Sequence, residues 1–447
     1  MTFPSNILQQ VQTYQKASLA YLQNLCPFVK NANTKFKNFQ DVPANLGSSV
    51  TFDLTYRFAA ANGLVADFQS IEQRVQTLTN DQAGNVSMTV SDPQTIFNFN
   101  DKYYMEQIGY GAMAEMATKV ESNFALNVVS AVPVNNIVGS TFVPTGALHT
   151  ESGPYRFFGD GVTAINSFTQ LAEMIALYKS YGAAKNDIKV FLPNTIVPQV
   201  VGTGLGQFAP RRNDEIAQSW EIGQFGAPAV SYYESNLLPI HQAGTVGSQA
   251  SSGARTLTVV STNDPTGANI TQITFSGAPS NNDPSAILSG DLFQFNFGVS
   301  GQPDMYFLTF IGHVPSPNPV QFRATANAAS DNSGNVIVNI TPALSSTPGK
   351  NQNLQHNVVA GMQVGVIPSH RAGLVIGGNA MYISLPRLPD QNPFATSNEF
   401  DKETGVSLRM YYGAIFGQST QGLIHDVTWG STIVPEYSMR IIFPVNQ

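Results

Sequence analysis

The sequence predicts an α+β chain interrupted by an all-β unit of barrel or sandwich type. Three observations lead there. Apolar residues recur at helical spacing in two stretches, residues 101–131 and 167–181. Between about Gly244 and Gly361 helical spacing disappears, and short alternating runs are separated by Gly, Pro, Asn and Asp. After that unit three more strand-like runs, at 408–416, 423–429 and 439–443, return the chain to mixed structure.

Residues 5–26 read as a helix, with Ser5 as cap and Leu8, Val11, Leu19, Leu22 and Cys26 at helical intervals. Residues 1–40 hold no Asp or Glu, only Lys16, Lys30, Lys35 and Lys37. One short helix cannot bury its own apolar stripe, so this stretch is expected to lie against something else. Residues 50–58 and 75–90 alternate as strands do, with Phe52, Leu54, Tyr56 and Phe58 against Thr51, Asp53, Thr55 and Arg57. Asp81-Gln82-Ala83-Gly84-Asn85 has turn chemistry. The pair reads as a long two-stranded excursion, which is marginal alone and needs a supporting surface. In the helix over 101–131, Met105, Ile108, Ala112, Met116, Val120, Phe124, Val128 and Ala131 step by three or four, Asp101 caps and Pro133 stops. In the helix over 167–181, Phe168, Leu171, Ile175 and Tyr178 share a face and Gly182 ends it. Residues 188–192 form a buried strand, and Asn194 opens a short helix reaching Val201. Inside the β unit the expected strands are 257–259, 273–275, 292–297, 306–311, 320–323 and 336–340, with a hairpin turn at Asp331-Asn332-Ser333-Gly334-Asn335.

Composition narrows the function. Only 11% of the 447 residues are charged, against about 25% in typical soluble domains. Neutral polar residues take their place. Such a surface repels neighbours weakly and loses little solvation when covered, which suits a protein buried against copies of itself. A net charge of −7 argues against a broad basic face gripping nucleic acid, though not against a wall that encloses it. No run reaches the roughly 20 apolar residues of a membrane span. The first residues lack a basic stretch followed by an apolar one, which argues against a cleaved secretory signal. The single cysteine, Cys26, rules out an internal disulfide framework and fits folding in a reducing compartment.

The search for catalysis is mostly negative, and no cofactor or metal is expected. Gly202-Thr203-Gly204-Leu205-Gly206 has the wrong spacing for a phosphate loop. The histidines at 149, 241, 313, 356, 370 and 425 show no metal-ligand spacing. His425-Asp426 could orient an imidazole, but a strand-end hydrogen bond is the plainer reading. Cys26 reads as a buried or interface thiol and Glu115–Lys119 as an ordinary helix pair. Because charges are scarce, Arg211, Arg212, Asp214 and Glu215, with Arg57 and Arg74, are the candidate intersubunit contacts; a solvated loop is the plainer reading of the 211–215 cluster.

The order of parts, together with Lys189-Val190-Phe191-Leu192-Pro193-Asn194, Gly226-Ala227-Pro228-Ala229-Val230, Glu234-Ser235-Asn236-Leu237-Leu238-Pro239, Gly290-Asp291-Leu292-Phe293-Gln294-Phe295, Val338-Asn339-Ile340-Thr341-Pro342 and Gly405-Val406-Ser407-Leu408-Arg409-Met410-Tyr411-Tyr412-Gly413, resembles tailed-bacteriophage major capsid proteins of the Hong Kong 97 type. It is most similar to short-tailed phage coat proteins with an inserted β-domain. The resemblance implies an N-terminal arm (1–44), an extended β-loop (45–95), a peripheral domain with a spine helix (96–149), an axial domain (150–243), an inserted β-barrel (244–361) and a return to the axial and peripheral domains (362–447). It implies a non-enzymatic virion protein, made in the host cytoplasm. Hexamers and pentamers would form an icosahedral shell around double-stranded DNA, with a scaffolding protein and a portal as partners and no membrane. Acidic residues near the arm that can receive a scaffold in relatives are absent from residues 1–40 here, so scaffold docking would use other residues, such as Asp41 or Asp53, or another mode. The alternative is a β-rich virion adhesin whose Phe293, Phe295 and Phe297 stack on glycans.

Overall fold

The computed structural model describes residues 27–33, 49–60, 68–71, 74–91, 110–129, 153–182, 187–196, 198–200, 230–248, 255–378, 380–386, 388, 395–400, 407–414 and 420–446. The expected helix over 5–26, Cys26 and residues 201–229 lie outside this set.

In chain order the described elements begin with α1 (Pro27–Asn31), β1 (Ser49–Asp53), β2 (Val75–Thr79), β3 (Gln82–Ser91), α2 (Tyr110–Val129), β4 (Phe157–Phe158) and α3 (Phe168–Ser180). They continue with β5 (Ile188–Leu192), β6 (Val230–Glu234), β7 (Ile240–His241) and the short α4 (Thr245–Ser248). The middle of the chain is β8 (Arg255–Thr262), β9 (Ile270–Ser276), β10 (Leu292–Phe295), β11 (Tyr306–Leu308), β12 (Pro315–Pro319), β13 (Gln321–Ala324), β14 (Asn335–Leu344) and β15 (Gln363–Val366). The last strands are β16 (His370–Gly377), β17 (Met381–Ser384), β18 (Ala395–Phe400), β19 (Ser407–Ala414), β20 (Thr420–Ile433) and β21 (Ser438–Pro444). The described chain is sheet-rich with few helices.

A six-stranded sheet runs β4-β21-β16-β5-β6, with β7 also paired to β16. α3 covers it, burying Leu171, Met174, Ile175 and Tyr178 against Val190, Val375, Met439 and Ile441. Ser167 starts α3 with a capping box shared with Gln170, and Gly182, at φ +78°, follows its end. A left-handed residue there carries no penalty only if it lacks a Cβ.

A second sheet runs β17-β20-β19-β18, with β3 added to β20. The long helix α2 packs on this sheet, and Met113, Met116, Val120, Phe124 and Val128 are buried in a core shared with Val427 and Trp429. The Trp429 indole donates to Asn123 Oδ1 at 3.1 Å.

The two-stranded excursion differs from expectation. β1 and β2 pair only from Ser49↔Thr79 to Asp53↔Val75. The chain then turns at Asn80–Asp81, and residues 82–85 are already strand, paired with β20 from Trp429↔Gln82 to Thr420↔Ser91. Gly84 is therefore not a turn residue. A Cβ there would sit 3.1 Å from the Trp429 ring, so the glycine leaves room for the indole.

The third body is a closed barrel, β10-β13-β14-β9-β8-β15. Its interior is a ladder of rings: Phe275 and Phe293 lie 5.9 Å apart, Phe293 and Phe322 5.0 Å apart, all nearly parallel. The expected strands all appear, although the runs at 292–297 and 306–311 shorten to Leu292–Phe295 and Tyr306–Leu308, and β12 and β15 were not expected. The turn at 331–335 closes with Gly334 N–H donating to Asp331 O and Asp331 N–H to Asn335 O. The closing strand β15 begins just past Gly361. One barrel wall faces the six-stranded sheet: Leu292 and Ile367 pack on Phe157 and Ile442. The Gln321 amide docks there too, accepting from Phe157 N–H at 2.8 Å and donating to Phe157 O at 3.0 Å.

Candidate assembly surface

The described ends of the loop between β1 and β2 are held by charge. Leu54 N–H donates to Arg74 O at 2.8 Å, continuing the hairpin by one bond. Beyond it, Thr55 Oγ1 and the Tyr437 hydroxyl lie 2.7 Å apart. The Arg74 guanidinium binds the Glu436 carboxylate, and Arg57 Nη2 stands 3.9 Å from the same oxygen. Both guanidinium groups lie over the Phe310 ring, at 4.2 Å for Arg57 and 5.7 Å for Arg74. A cation over a ring contributes about 0.5–1 kcal/mol at exposed sites and more when water is excluded. One carboxylate and one ring thus clasp two arginines, joining the loop, the segment before β21 and the barrel. Further along, Lys350 Nζ donates to Ser70 O at 2.8 Å, and His313 Nε2 lies 3.2 Å from Lys350 O.

Among the described residues of this loop Leu54 packs on the core, but three large apolar side chains are exposed. Phe68 is 94% exposed, Ile71 71% and Phe58 56%. The turn between β11 and β12, tied to the loop through Phe310 and Lys350, adds Ile311 at 68% and Val314 at 58%. Scattered exposed apolar residues are ordinary, but large apolar side chains concentrated on one loop and one adjoining turn mark a surface built to be covered.

Arg57 and Arg74 were expected as intersubunit contacts. The structure brings them together, and their described partners, Glu436 and Phe310, belong to the same chain. Arg211, Arg212, Asp214 and Glu215 lie outside the described residues. Sequence reading missed Glu436, Phe310 and Tyr437, because nothing local links positions near 57 and 74 to 436. We expect Glu436→Gln, which keeps size but removes the charge, to raise the rate of proteolytic cleavage within 54–74 several-fold with little change in thermal midpoint. Unchanged cleavage would show that the carboxylate does not hold the loop.

No family model matches the chain, and no curated protein does. Solved structures do. The chain is similar to the capsid of Ralstonia phage GP4, at 9% identity, covering 91% of this chain and 86% of that one, with a TM-score of 0.44. It is similar to a chain of Mycobacterium phage Che8, at 7% identity, covering 92% and 90%, with a TM-score of 0.41. The capsid structure of cyanophage P-SCSP1u follows at 10% identity, covering 89% and 83%, with a TM-score of 0.35.

The remaining candidate chemistry takes a definite form. His425 and Asp426 do not act together: successive strand residues face opposite sides. Asp426 pairs with Arg409 at 2.8 Å, while His425 is buried mid-strand, with no hydrogen-bond partner for either ring nitrogen among the described residues. Burial pushes its pKa down to about 4. Phe293 and Phe295 are inside the barrel, and Phe297 stacks on Tyr306 at 5.0 Å. The glycan-stacking row of the adhesin reading is therefore not available: alternate residues of one strand face the barrel core. Among the described residues no group of three or more His, Cys, Asp or Glu is placed to hold a metal, and no helix is long and apolar enough to cross a membrane.

Proposed function

We propose that the protein is a major capsid protein of a tailed phage, organised in the Hong Kong 97 manner and closest to short-tailed phage coat proteins with an inserted barrel. The observation that carries this reading is the clasped loop with its exposed Phe58, Phe68 and Ile71. A loop anchored by charge, with large apolar side chains exposed among its described residues, suits a surface covered by another subunit. The order of parts supports the reading: arm, loop, spine helix on a sheet, a second sheet with an inserted barrel, then closing strands. It gives this chain the role that the capsid chains above have in theirs, and it rests on these parts rather than on that likeness.

On this reading residues 1–44 are the arm, 45–95 the extended loop, 96–149 the peripheral domain, 150–243 the axial domain, and 362–447 the return. We take the insert from 244 through Val366, because β15 closes the barrel. Hexamers and pentamers tile an icosahedral virion shell around DNA held without sequence-specific contacts. Scaffolding protein and portal assist assembly in the host cytoplasm. Arg57 and Arg74 serve by setting the loop's path, and Arg211, Arg212, Asp214 and Glu215 are the charges to test at the neighbouring contact. The chain performs no catalytic step.

Full-length protein, expressed alone and with a candidate scaffolding protein, is expected to give closed shells by negative-stain electron microscopy. The double variant Phe68→Ser with Ile71→Ser is expected to stay folded and lose the shells. Monodisperse small species from the parent chain under every condition would overturn the reading.

A further inference from the structure

The chain passes between the six-stranded sheet and the barrel twice, and a buried group of ionisable side chains sits where it does. β7 leads out and β16 leads back, paired His370↔His241 and Arg371↔Ile240. The two rings lie 5.2 Å apart, and both are fully buried. From the barrel side, Asp291 Oδ1 meets His241 Nε2 at 2.8 Å, and Asp291 Oδ2 accepts from Gly244 N–H at 3.1 Å and Leu288 N–H at 2.8 Å. From β21, Arg440 Nη1 lies 3.5 Å from His370 Nε2 and donates to Gly290 O at 3.4 Å, while Nη2 donates to Val129 O at the end of α2. Arg323 of β13 is buried too and acts on Arg440 electrostatically. Among the described residues, Asp291, Arg323, Arg440, His241 and His370 are the charged and titratable groups that these contacts bring together; half-buried Arg371, next to His370, lies on the other face of β16.

The two histidines differ in what a second proton would do. His370 Nδ1 is 2.8 Å from Pro368 O, so that nitrogen carries the hydrogen and Nε2 is the bare acceptor facing Arg440. Protonating Nε2 sets a donor and a like charge against a guanidinium in a dry site. His241 instead faces a carboxylate that welcomes a proton. Burial, then Arg440, hold the His241 ring well below the ordinary histidine range; burial, then His241 and Arg440, hold His370 there; and burial raises Asp291. The Asp291–His241 pair therefore holds one proton when the neck is closed. It holds one when the neck is open in mild acid, with Asp ionised and His charged, so its contribution cancels. His370 is left as the group that takes up a proton on opening.

We propose that this neck is an acid-sensitive lock that fixes the barrel on the six-stranded sheet and loosens when His370 gains a proton at Nε2. The sign follows from linkage. The open neck binds one more proton than the closed one below about pH 6.5, so the opening constant rises by up to about tenfold per pH unit there. The inference does not depend on the shell reading.

Hydrogen–deuterium exchange of the full-length chain, corrected for the intrinsic pH dependence of amide exchange, tests it. Peptides spanning 240–248, 284–292 and 366–372 are followed from pH 7.5 to 4.5. In the parent chain their opening is expected to rise by one to two orders of magnitude, at up to the tenfold per unit that one proton allows, while α3 stays protected. His370→Asn keeps a donor for Pro368 O but cannot gain charge, and is expected to flatten the profile. His356→Gln, at an exposed histidine, is expected to leave it unchanged. A flat profile in the parent chain overturns the proposal whether or not the variants fold, as does an unaltered slope in His370→Asn.

Discussion

Phe124→Asp is expected to abolish soluble folding of this chain. Phe124 is fully buried on α2, and its ring meets Phe28 edge-on at 6.1 Å. Phe28 in turn stacks on Phe191 of β5 at 4.1 Å. The three rings therefore join α1, α2 and the six-stranded sheet, while the other side of α2 packs on the second sheet. Removing a buried phenyl ring alone costs about 3–5 kcal/mol. An aspartate adds the desolvation of a carboxylate with no cation provided for it, and total stabilities are only about 5–15 kcal/mol. Soluble yield and far-ultraviolet circular dichroism measure the outcome. Phe124→Leu, which removes less volume, is expected to fold with a lowered thermal midpoint. A soluble, helical Phe124→Asp protein would show that α2 is not at the centre of the core.

The second large effect is one of pH. Residues 1–40 hold no acid, yet α1 begins on a carboxylate, supplied by α2. Glu121 Oε1 accepts from Phe28 N–H at 2.5 Å and Oε2 from Val29 N–H at 3.4 Å. The side chain is fully buried, and burial pushes its pKa from 4.5 to about 8 against the lowering effect of those two donors. The folded chain therefore holds this proton up to about pH 8, whereas the unfolded chain releases it near 4.5. The stability contributed by the neutral carboxyl is complete below pH 4.5 and is lost as the pH rises through 8. At roughly 1.4 kcal/mol for each pH unit, the loss is on the order of 5 kcal/mol. Glu121→Gln has no proton to lose. Near pH 5 it is expected to be equal to the parent or about 1 kcal/mol weaker, since its amide turns a donor toward Val29. Near pH 9 it is expected to be clearly more stable. Urea unfolding of both proteins at pH 5, 7 and 9 gives the difference. A difference that does not move with pH would mean that the carboxyl is not enclosed beneath α1.

Much of the architecture was readable from spacing. All the barrel strands but β15, the turn at 331–335, α3 with its buried face and β5 follow local periodicity, because burial on one side of a strand or helix repeats every two or 3.6 residues. Gly84 shows where that reading stops. Its turn-like neighbours pointed to a bend, and only the presence of Trp429, more than three hundred positions away, explains a glycine in mid-strand. The loop arginines show the same limit. Their rarity marked Arg57 and Arg74, but Glu436 could not be named as their partner. The neck is the clearest case: His241, Asp291, His370 and Arg440 are scattered, and none carries a spacing signal.

The sequence by itself determined which residues repeat in strand or helix fashion, where the helical character gives way to a β unit, and how little charge the surface carries. These are properties of neighbours along the chain. The tertiary structure alone decided that β3 leaves its hairpin to join β20, that Glu436 gathers both loop arginines over Phe310, and that two histidines pair at the barrel's neck beside Arg440. Each of these joins residues far apart in sequence, and such pairings are selected by the burial they complete together. No single segment encodes them, because a carboxylate or an imidazole has the same local signature whether it ends in water or enclosed against a guanidinium.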